Sequence, residues 1–361
     1  MIIYIVILLL LFVFSERKNQ NSFFFLCAIL FFIGFLRDSS VGTDVLSYCY
    51  IIDSLSANSK RVDVLALLVT ENIEVGFSYL IIGLKHITND SMLIIRLVFL
   101  LYFLNITIWI SKLSVKPNLS LFAYYTLAFY FFSFNGIRQA LALSIVLAIV
   151  ALTCRRNLTI KKTIVVMALI VAIAILFHRS VMLCAVIPIV LKFNKIELFG
   201  NKPLIIFLLA SIVLSVFFSS FLKQSLSSLD ISLLGSEKYS SYVERLDVDS
   251  AFSFISNILH AAFAIFLLYT TKERNPWLIL YSIGTIILVL LSPLSWLFIR
   301  VADNLNIFIA LAIPSVFKEW RRQNKQVLYY RMATYLYCFV LFFNRLKDDN
   351  GDVMPYEWIL F

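Results

Sequence analysis

Long runs of apolar residues alternate with short polar connectors along almost the whole chain. The runs lie near 1–14, 23–36, 91–110, 119–134, 137–153, 163–177, 180–192, 203–220, 253–270, 277–292, 299–317 and 327–343. We predict an all-α polytopic transmembrane bundle of about 12 spans, in which the shorter runs tilt or thin the bilayer locally, since a span needs roughly 20 apolar residues.

The composition supports the same class of protein. Apolar residues make up 61% of the 361 residues, which leaves too little polar surface to coat a water-soluble globule. No repeat or Gly/Pro-rich linker divides the sequence, so we predict one integral membrane domain over residues 1–361. Met1 to Phe14 lacks the basic leader and cleavage pattern of a signal peptide, and we expect it to remain as a span.

Charge is distributed unevenly between alternate connectors. More than half of the 31 Lys and Arg residues lie in six short connectors, at 15–22, 111–118, 154–162, 192–202, 271–276 and 318–326. Cytoplasmic connectors carry an excess of positive charge, so we place all six in the cytoplasm. The net charge of +10 is therefore a sum over two unlike faces, and it does not indicate a nucleic-acid partner.

The weak apolar segment Val75 to Leu84 is placed by the parity of crossings. Connectors 15–22 and 111–118 both belong inside, so an even number of spans separates them, and runs 23–36 and 91–110 already supply two. The segment is therefore predicted to be an interfacial or re-entrant helix on the outer side.

This threading leaves two larger loops outside, about 37–90 and 221–252, together with a tail after Asn344. All 21 acidic residues lie on this outer side except Glu16, Glu197, Glu273 and Glu319. Two substantial loops over a helical bundle predict a functional site on the outer face.

Several arginines lie where helices are predicted to begin at that face. Arg138, Arg179 and Arg300 lie at or near helix N-termini, and Arg96 lies about one turn inside another helix. A helix N-terminus carries unpaired N–H groups and a positive partial charge, so a cation there is unfavourable unless an anion also binds. The group of four favours an anionic ligand.

The sequence leaves open which anion would bind, and whether the arginines bind an anion at all. An isoprenoid diphosphate fits because guanidinium groups can hold its oxygens while its tail stays in the bilayer, and a phospholipid headgroup meets the same requirements. Alternatively, each arginine snorkels or pairs with an outer acid such as Asp303 or Glu74.

Two residues are candidates for proton transfer. Asp44 closes the polar segment Arg37-Asp38-Ser39-Ser40-Val41-Gly42-Thr43-Asp44, and His178 occupies a turn between two helices. Either side chain can act as a general base on a sugar hydroxyl. An ordinary turn explains the Gly-Thr-Asp sequence equally well, and a satisfied interfacial residue explains the histidine.

Other polar groups are suited to carbohydrate. The second outer loop carries Tyr242 and Arg245 among acids, and either binding or simple solvation accounts for them. The five cysteines are scattered, with no CxxC and no histidine at ligand spacing, so we predict no disulfide framework, no metal and no cofactor.

Five short motifs occur in order along the chain, four in the first half and a looser one in the second half. They are Arg37 with Gly42-Thr43-Asp44 and Tyr48; Glu74-Val75-Gly76-Phe77; Ile137-Arg138-Gln139-Ala140; His178-Arg179-Ser180; and Arg300-Val301-Ala302-Asp303. With these motifs the chain resembles the EpsG family of polysaccharide polymerases, which is related in role to Wzy-type O-antigen polymerases.

The resemblance implies a multi-pass enzyme of the bacterial cytoplasmic (inner) membrane, similar to GT-C-like glycosyltransferases. Its reaction would join lipid-linked repeats of O-antigen, capsule or exopolysaccharide on the outer, periplasmic or extracellular, face, using a polyprenyl diphosphate-linked donor such as an undecaprenyl diphosphate glycan. The expected partners are this lipid-linked oligosaccharide, the bilayer and, as a further candidate, a chain-length regulator.

The residue roles then follow as expectations. Asp44 and His178 are the catalytic candidates. The diphosphate-binding candidates are Arg138, Arg179, Arg300 and Arg37, and the glycan-binding candidates are Gln139, Tyr48, Glu74, Tyr242 and Arg245.

Two other classes of protein compete with this interpretation. A flippase for lipid-linked oligosaccharides would share the basic inner connectors, but it should place charges near the midplane of the membrane. A membrane acyltransferase acting on glycans would be expected to place its histidine near an acyl donor at the cytoplasmic or embedded side. The outer placement of the charges favours the glycosyltransferase.

Overall fold

The structure is a computed structural model that describes residues 1–153, 158–227, 250–293, 297–323, 327–349 and 351–358. The described residues are almost entirely helical. The α-helices are α1 (Ile2–Ser15), α2 (Gln20–Phe35), α3 (Val45–Asp53), α4 (Arg61–Thr70), α5 (Val75–Lys85), α6 (Ser91–Leu113), α7 (Pro117–Thr126), α8 (Phe129–Asn135), α9 (Ile137–Thr153), α10 (Ile160–Phe177), α11 (Val186–Phe193), α12 (Asn201–Ser227), α13 (Ser250–Thr270), α14 (Pro276–Leu291), α15 (Leu297–Asn306), α16 (Ile309–Arg322) and α17 (Val327–Asp348).

Short 3₁₀ helices cover Arg179–Ala185 and Glu197–Phe199, and an isolated antiparallel β-bridge joins Arg37 to Trp358. The predicted all-α class is therefore confirmed. The likeness to GT-C-like enzymes stays a prediction.

Several predicted runs are interrupted. The run 119–134 divides into α7 and α8 at Ala128, whose φ of 65° an α-helix cannot accommodate. The run 180–192 divides into a 3₁₀ helix and α11, and the run 299–317 divides into α15 and α16. Because the residues of α7 and most of α8 are buried within the protein, the freed backbone groups at this break are not exposed to lipid.

Three described segments are long and apolar enough to cross a membrane by themselves: Ser91–Leu113, Ile160–Phe177 and Leu297–Arg322. Shorter apolar helices accompany them, at Ile2–Ser15, Gln20–Phe35, Val75–Lys85, Ile137–Thr153, Asn201–Ser215, Ile255–Thr270 and Pro276–Leu291. These helices indicate a membrane protein, and the number of spans remains a prediction.

The predicted interfacial segment is helical. Helix α5 has 11 residues and is therefore about 16 Å long, roughly half of a hydrocarbon core. It packs against α4, α6 and α10. The approach to α10 is close, because a Cβ on Gly76 would lie 2.6 Å from the carbonyl oxygen of Leu176. Its depth in the membrane stays a prediction.

One acidic side chain gathers the basic connectors at one end of the bundle. Glu16, after α1, accepts hydrogen bonds from Lys116, Arg321, Arg331 and Tyr335. Burial opposes ionisation of Glu16, but the hydrogen bond and charge of Lys116, together with the charge of Arg331, lower its pKa overall. We call these five residues the Glu16 cluster.

Two further contacts extend this end of the bundle. Arg322 lies 3.7 Å from Glu273, and Arg274 donates to the carbonyl oxygen of Ile196 at 3.1 Å. Five of the six basic connectors are thus linked at one end, as expected if they share one side of a membrane. The assignment of this side to the cytoplasm stays a prediction.

The two predicted outer loops have different outcomes. Residues 37–90 contain α3, α4 and α5, so this loop is a folded helical segment. The second loop, 221–252, lies largely outside the described residues.

The Glu16 cluster should contribute measurably to stability. Replacing Glu16 with Gln removes the charge that three cations share, and we expect a loss of about 1–3 kcal/mol. Thermal unfolding in detergent measures this as a lower midpoint. The exposed Glu197, replaced in the same way, is the matched control. Equal midpoints for the two variants would show that the cluster contributes no stability.

Candidate functional site

The predicted site residues converge at the end of the bundle opposite the Glu16 cluster. Helix α1 defines the two ends, since Tyr4 at its start donates to the carbonyl oxygen of Val353 at 2.8 Å and Glu16 follows its last residue. Residues 37–44, 72–74, 135–139, 178–180 and 300–304 are connected to one another at the Tyr4 end by the contacts described below.

Arg138 is the most highly connected of these residues. Its Nη1 donates to the carboxylate of Glu74 and, at 2.8 Å, to the carbonyl oxygen of Asn72. Its Nε donates to the hydroxyl of Tyr48 at 3.2 Å. Nη2 takes part in none of these bonds. The guanidinium therefore joins α9 to α3 and to the segment before α5.

The position of Arg138 explains its partner. It is the second residue of α9, where free N–H groups and the helix dipole disfavour a cation. Glu74, itself at the start of α5 and 7% exposed, supplies the compensating charge. For Arg138, the alternative of pairing with Glu74 is thus realised in the structure.

Gln139 connects this half of the site to α15. Its side-chain amide donates to the carbonyl oxygen of Arg300 at 2.6 Å and to Oδ1 of Asn304 at 3.1 Å. Asn304 is fully buried and donates in turn to the carbonyl oxygens of Ser180, at 3.0 Å, and Val301, at 3.1 Å. Arg138 and Gln139, which are consecutive in α9, therefore connect this helix to the segment before α5 and to α15.

His178 is held by Ser180 at the end of α10. The backbone N–H of Ser180 donates to Nδ1 at 3.3 Å, and the hydroxyl of Ser180 lies 2.9 Å from the same atom. Because an amide N–H can only donate, Nδ1 must be the unprotonated nitrogen, and the ring proton belongs to Nε2. Burial, with the positive charges of Arg138 and Arg300, lowers the pKa of His178 to about 4. The imidazole is thus neutral at pH 7.

Asp44 lies beside the second arginine. Its Oδ2 is 3.8 Å from Nη2 of Arg300, and both side chains are about one-third exposed. Oδ1 of Asp44 is 3.3 Å from the hydroxyl of Thr43, which also donates to Oδ1 of Asn135 at 3.2 Å. An exposed carboxylate can receive a proton, and the positive charge of the adjacent guanidinium can attract an anion.

The side chains of two predicted diphosphate residues take no part in the contacts described above. Arg37 is 1% exposed, and its guanidinium carbon lies 4.2 Å from the centroid of the Phe134 ring. It borders a cavity of about 10 Å³, no larger than one water molecule. Arg179 is exposed. Burial does not favour a diphosphate role for Arg37, and both assignments stay predictions.

The predicted glycan-binding residues also differ in their surroundings. Tyr48 is 8% exposed and Gln139 is 2% exposed. Tyr48 and Glu74 contact Arg138, and Gln139 contacts the backbone of Arg300. Tyr242 and Arg245 lie outside the described residues. The structure therefore leaves glycan contact by these five residues as a prediction.

A comparison with protein-family models identifies the family of the chain. The model of the EpsG family matches residues 20–358, nearly the whole chain. The chain belongs to the EpsG family. Membership indicates a role like that of a polysaccharide polymerase in a membrane. No curated protein and no solved structure matches this EpsG-family chain.

Some residues of the candidate site in this EpsG-family chain were not predicted from the sequence. Asn304 is the clearest, although it lies four residues after Arg300 and hence on the same helical face. Asn72 contributes only its backbone carbonyl, for which the sequence holds no signal. Asn135 ends α8, and its contacts to Thr43 and the C-terminal residues are long-range.

The depressed pKa of His178 predicts a pH dependence of stability. The folded state binds its proton only near pH 4, whereas the unfolded state binds it near 6.5. The stabilisation is therefore complete above about pH 6.5 and is lost as the pH falls toward 4. Replacing His178 with Gln should flatten the decline of the thermal midpoint between pH 7.5 and 4.5.

The matched control is the exposed His86, replaced with Gln, which should keep the slope of the unmodified protein. An unchanged slope in the His178→Gln variant would show that this imidazole does not titrate as described.

Proposed function

We propose that this EpsG-family protein is a membrane glycosyltransferase that polymerises lipid-linked oligosaccharide repeats. The donor in this proposal is a polyprenyl diphosphate-linked glycan, and the reaction takes place on the outer face of the bacterial cytoplasmic membrane. The observation that carries the proposal is the convergence of Arg138, Arg300, Asp44 and His178 in one network, at the end opposite the basic connectors.

The two arginines suit the departing group. Transfer breaks the bond between the anomeric carbon and a phosphate oxygen, and the polyprenyl diphosphate leaves with the bonding electrons. Fixed cations that face this developing charge stabilise the transition state without having to reorganise. Gln139 supports their spacing, because it binds the backbone of Arg300 and is adjacent to Arg138.

The structure favours different roles for the two catalytic candidates. Nδ1 of His178 already accepts a hydrogen bond, so the imidazole offers its Nε2–H as a donor. In this proposal it donates to an oxygen of the donor or the acceptor. Asp44 then accepts the proton of the acceptor hydroxyl as the new bond forms between that oxygen and the anomeric carbon.

Tyr48, Glu74 and Gln139 serve mainly as supports in this proposal. Each is buried and contacts Arg138 or the segment that carries Arg300. Direct glycan contacts are assigned to the more exposed surface around Asp44 and, as a sequence-based proposal, to Tyr242 and Arg245. The specific glycan is left open among O-antigen, capsule and exopolysaccharide.

The arginine roles predict a specific cellular phenotype. Arg138→Ala and Arg300→Ala should each lower the rate of polymer formation by about 100-fold or more, since fixed donors to a developing anion contribute effects of this size. Single repeats should still reach the outer surface, as seen in glycan profiles and surface labelling.

Arg61 is exposed on α4 and provides an arginine control, so Arg61→Ala should leave the polymer normal. Polymer of normal length from Arg138→Ala and Arg300→Ala would contradict the proposal. Repeats retained inside the cell would favour the flippase instead.

The division of labour between Asp44 and His178 is separately testable. Asp44→Asn removes the proton acceptor at nearly constant shape and should lower polymer formation by about 100-fold or more. His178→Gln keeps an N–H donor and should lower it by about tenfold or less. In vitro polymerisation at matched enzyme amounts measures both rates. The reverse order of losses would make His178 the base.

A further inference from the structure

The end of the chain lies along the segment that carries Asp44. Residues 351–358, which we call the C-terminal strap, form the β-bridge from Trp358 to Arg37. The backbone N–H of Asp38 donates to the carbonyl oxygen of Glu357 at 3.0 Å, and that of Gly42 donates to the carbonyl oxygen of Asp352 at 2.9 Å. The strap thus supplies further backbone partners for a segment that lies between two helices.

Side chains fix the strap to the bundle. Tyr4 donates to the carbonyl oxygen of Val353, and the hydroxyl of Tyr356 donates to the carbonyl oxygen of Ile33 at 2.6 Å. The hydroxyl of Ser40 donates to the carboxylate of Glu357 at 3.0 Å. The strap therefore connects α1, α2 and the Asp44 segment.

Helix α8 also packs closely against the segment. Gly42 has a φ of +119°, and a Cβ there would lie 2.9 Å from the carbonyl oxygen of Phe134. Val41 is fully buried beside it. The strap and α8 therefore both contact the segment at close range.

Asn135 connects the strap to Asp44 through Thr43. Its Nδ2 donates to the carbonyl oxygen of Gly351 at 3.1 Å, and its Oδ1 accepts a hydrogen bond from the hydroxyl of Thr43 at 3.2 Å. The same hydroxyl lies 3.3 Å from Oδ1 of Asp44. One amide thus contacts both the strap and the neighbour of the candidate base.

We propose that the C-terminal strap holds Asp44 in its reactive position, and that Asn135 is a positioning residue that transmits this constraint through Thr43. The inference rests on the proposed role of Asp44 as the proton acceptor. It adds that residues 351–358 are needed for catalysis although they lie far along the chain from the residues proposed for chemistry.

Thiol labelling tests the structural half of this inference without reference to activity. In a background with the five native cysteines replaced by alanine, Val41→Cys should react slowly with a membrane-impermeant maleimide. Ending the chain at Asp349 should make this labelling about tenfold faster or more, because several hydrogen bonds that oppose local opening are lost together. A chain ending at Trp358 should label as slowly as the full chain, and the exposed Leu46→Cys should label equally in all three.

A point variant covers the case in which the shortened chain fails to fold. Gly351 has a φ of +129°, and a Cβ there would lie 2.4 Å from Nδ2 of Asn135, so Gly351→Ala should displace the strap locally. The matched control is Gly83→Ala, since a Cβ at Gly83 meets no atom within 4 Å. Unchanged labelling in both the shortened chain and Gly351→Ala would overturn the inference, whatever the polymer yield.

Measurements of polymer formation test the second half of the inference, which is the positioning role of Asn135 and Thr43. Thr43→Val should lower polymer formation by about tenfold or more, whereas Thr43→Ser, which keeps the hydroxyl, should restore it. Asn135→Ala should behave like Thr43→Val. Rapid labelling of the shortened chain together with normal polymer would overturn the positioning role. Normal polymer from Asp44→Asn would instead overturn the proposed base, and the labelling result would stand independently.

Discussion

A cation in the first turn of a helix requires an anion, and the site is organised around that requirement. Arg138 begins α9, and the neighbouring segments supply Glu74, the carbonyl oxygen of Asn72 and the hydroxyl of Tyr48. These contacts tie the folded segment 37–90 to the bundle. The close packing of Gly76 against Leu176 brings α5 and the end of α10 to the same place. The ion pair therefore has a structural role even before any ligand binds.

The second half of the site depends on the residue after Arg138. The amide of Gln139 binds the backbone carbonyl of Arg300 and the side chain of Asn304, and Asn304 binds the carbonyl oxygen of Ser180 beside His178. These bonds hold the backbone of Arg300 and of Ser180, the residue that binds His178. Such support is what a site needs when its function is to face developing charge with preorganised groups.

Local patterns in the sequence were sufficient for the helical class, for most helix positions and for the grouping of basic connectors. They also pointed to Arg138, Arg179 and Arg300, because a cation at a helix start is unfavourable unless an anion compensates it. The interruption at Ala128, whose φ is positive, was not foreseeable, since no glycine or proline marks it. The roles of Asn304 and of the C-terminal strap depend on partners more than 100 residues away, and no local pattern encodes those contacts.

Charge balance suggests how the proposed reaction would use this network. Arg138 and Arg300 contribute two positive charges, Glu74 and Asp44 contribute two negative charges, and neutral His178 adds none. These five side chains therefore sum to zero without a ligand. A leaving diphosphate adds negative charge next to Arg300 at the stage when Asp44 takes up the acceptor's proton and becomes neutral. Proton capture by Asp44 would thus weaken the attraction between Arg300 and this carboxylate as negative charge develops on the diphosphate. Glu74, buried and bound to Arg138, would retain its charge throughout and keep the first arginine in place.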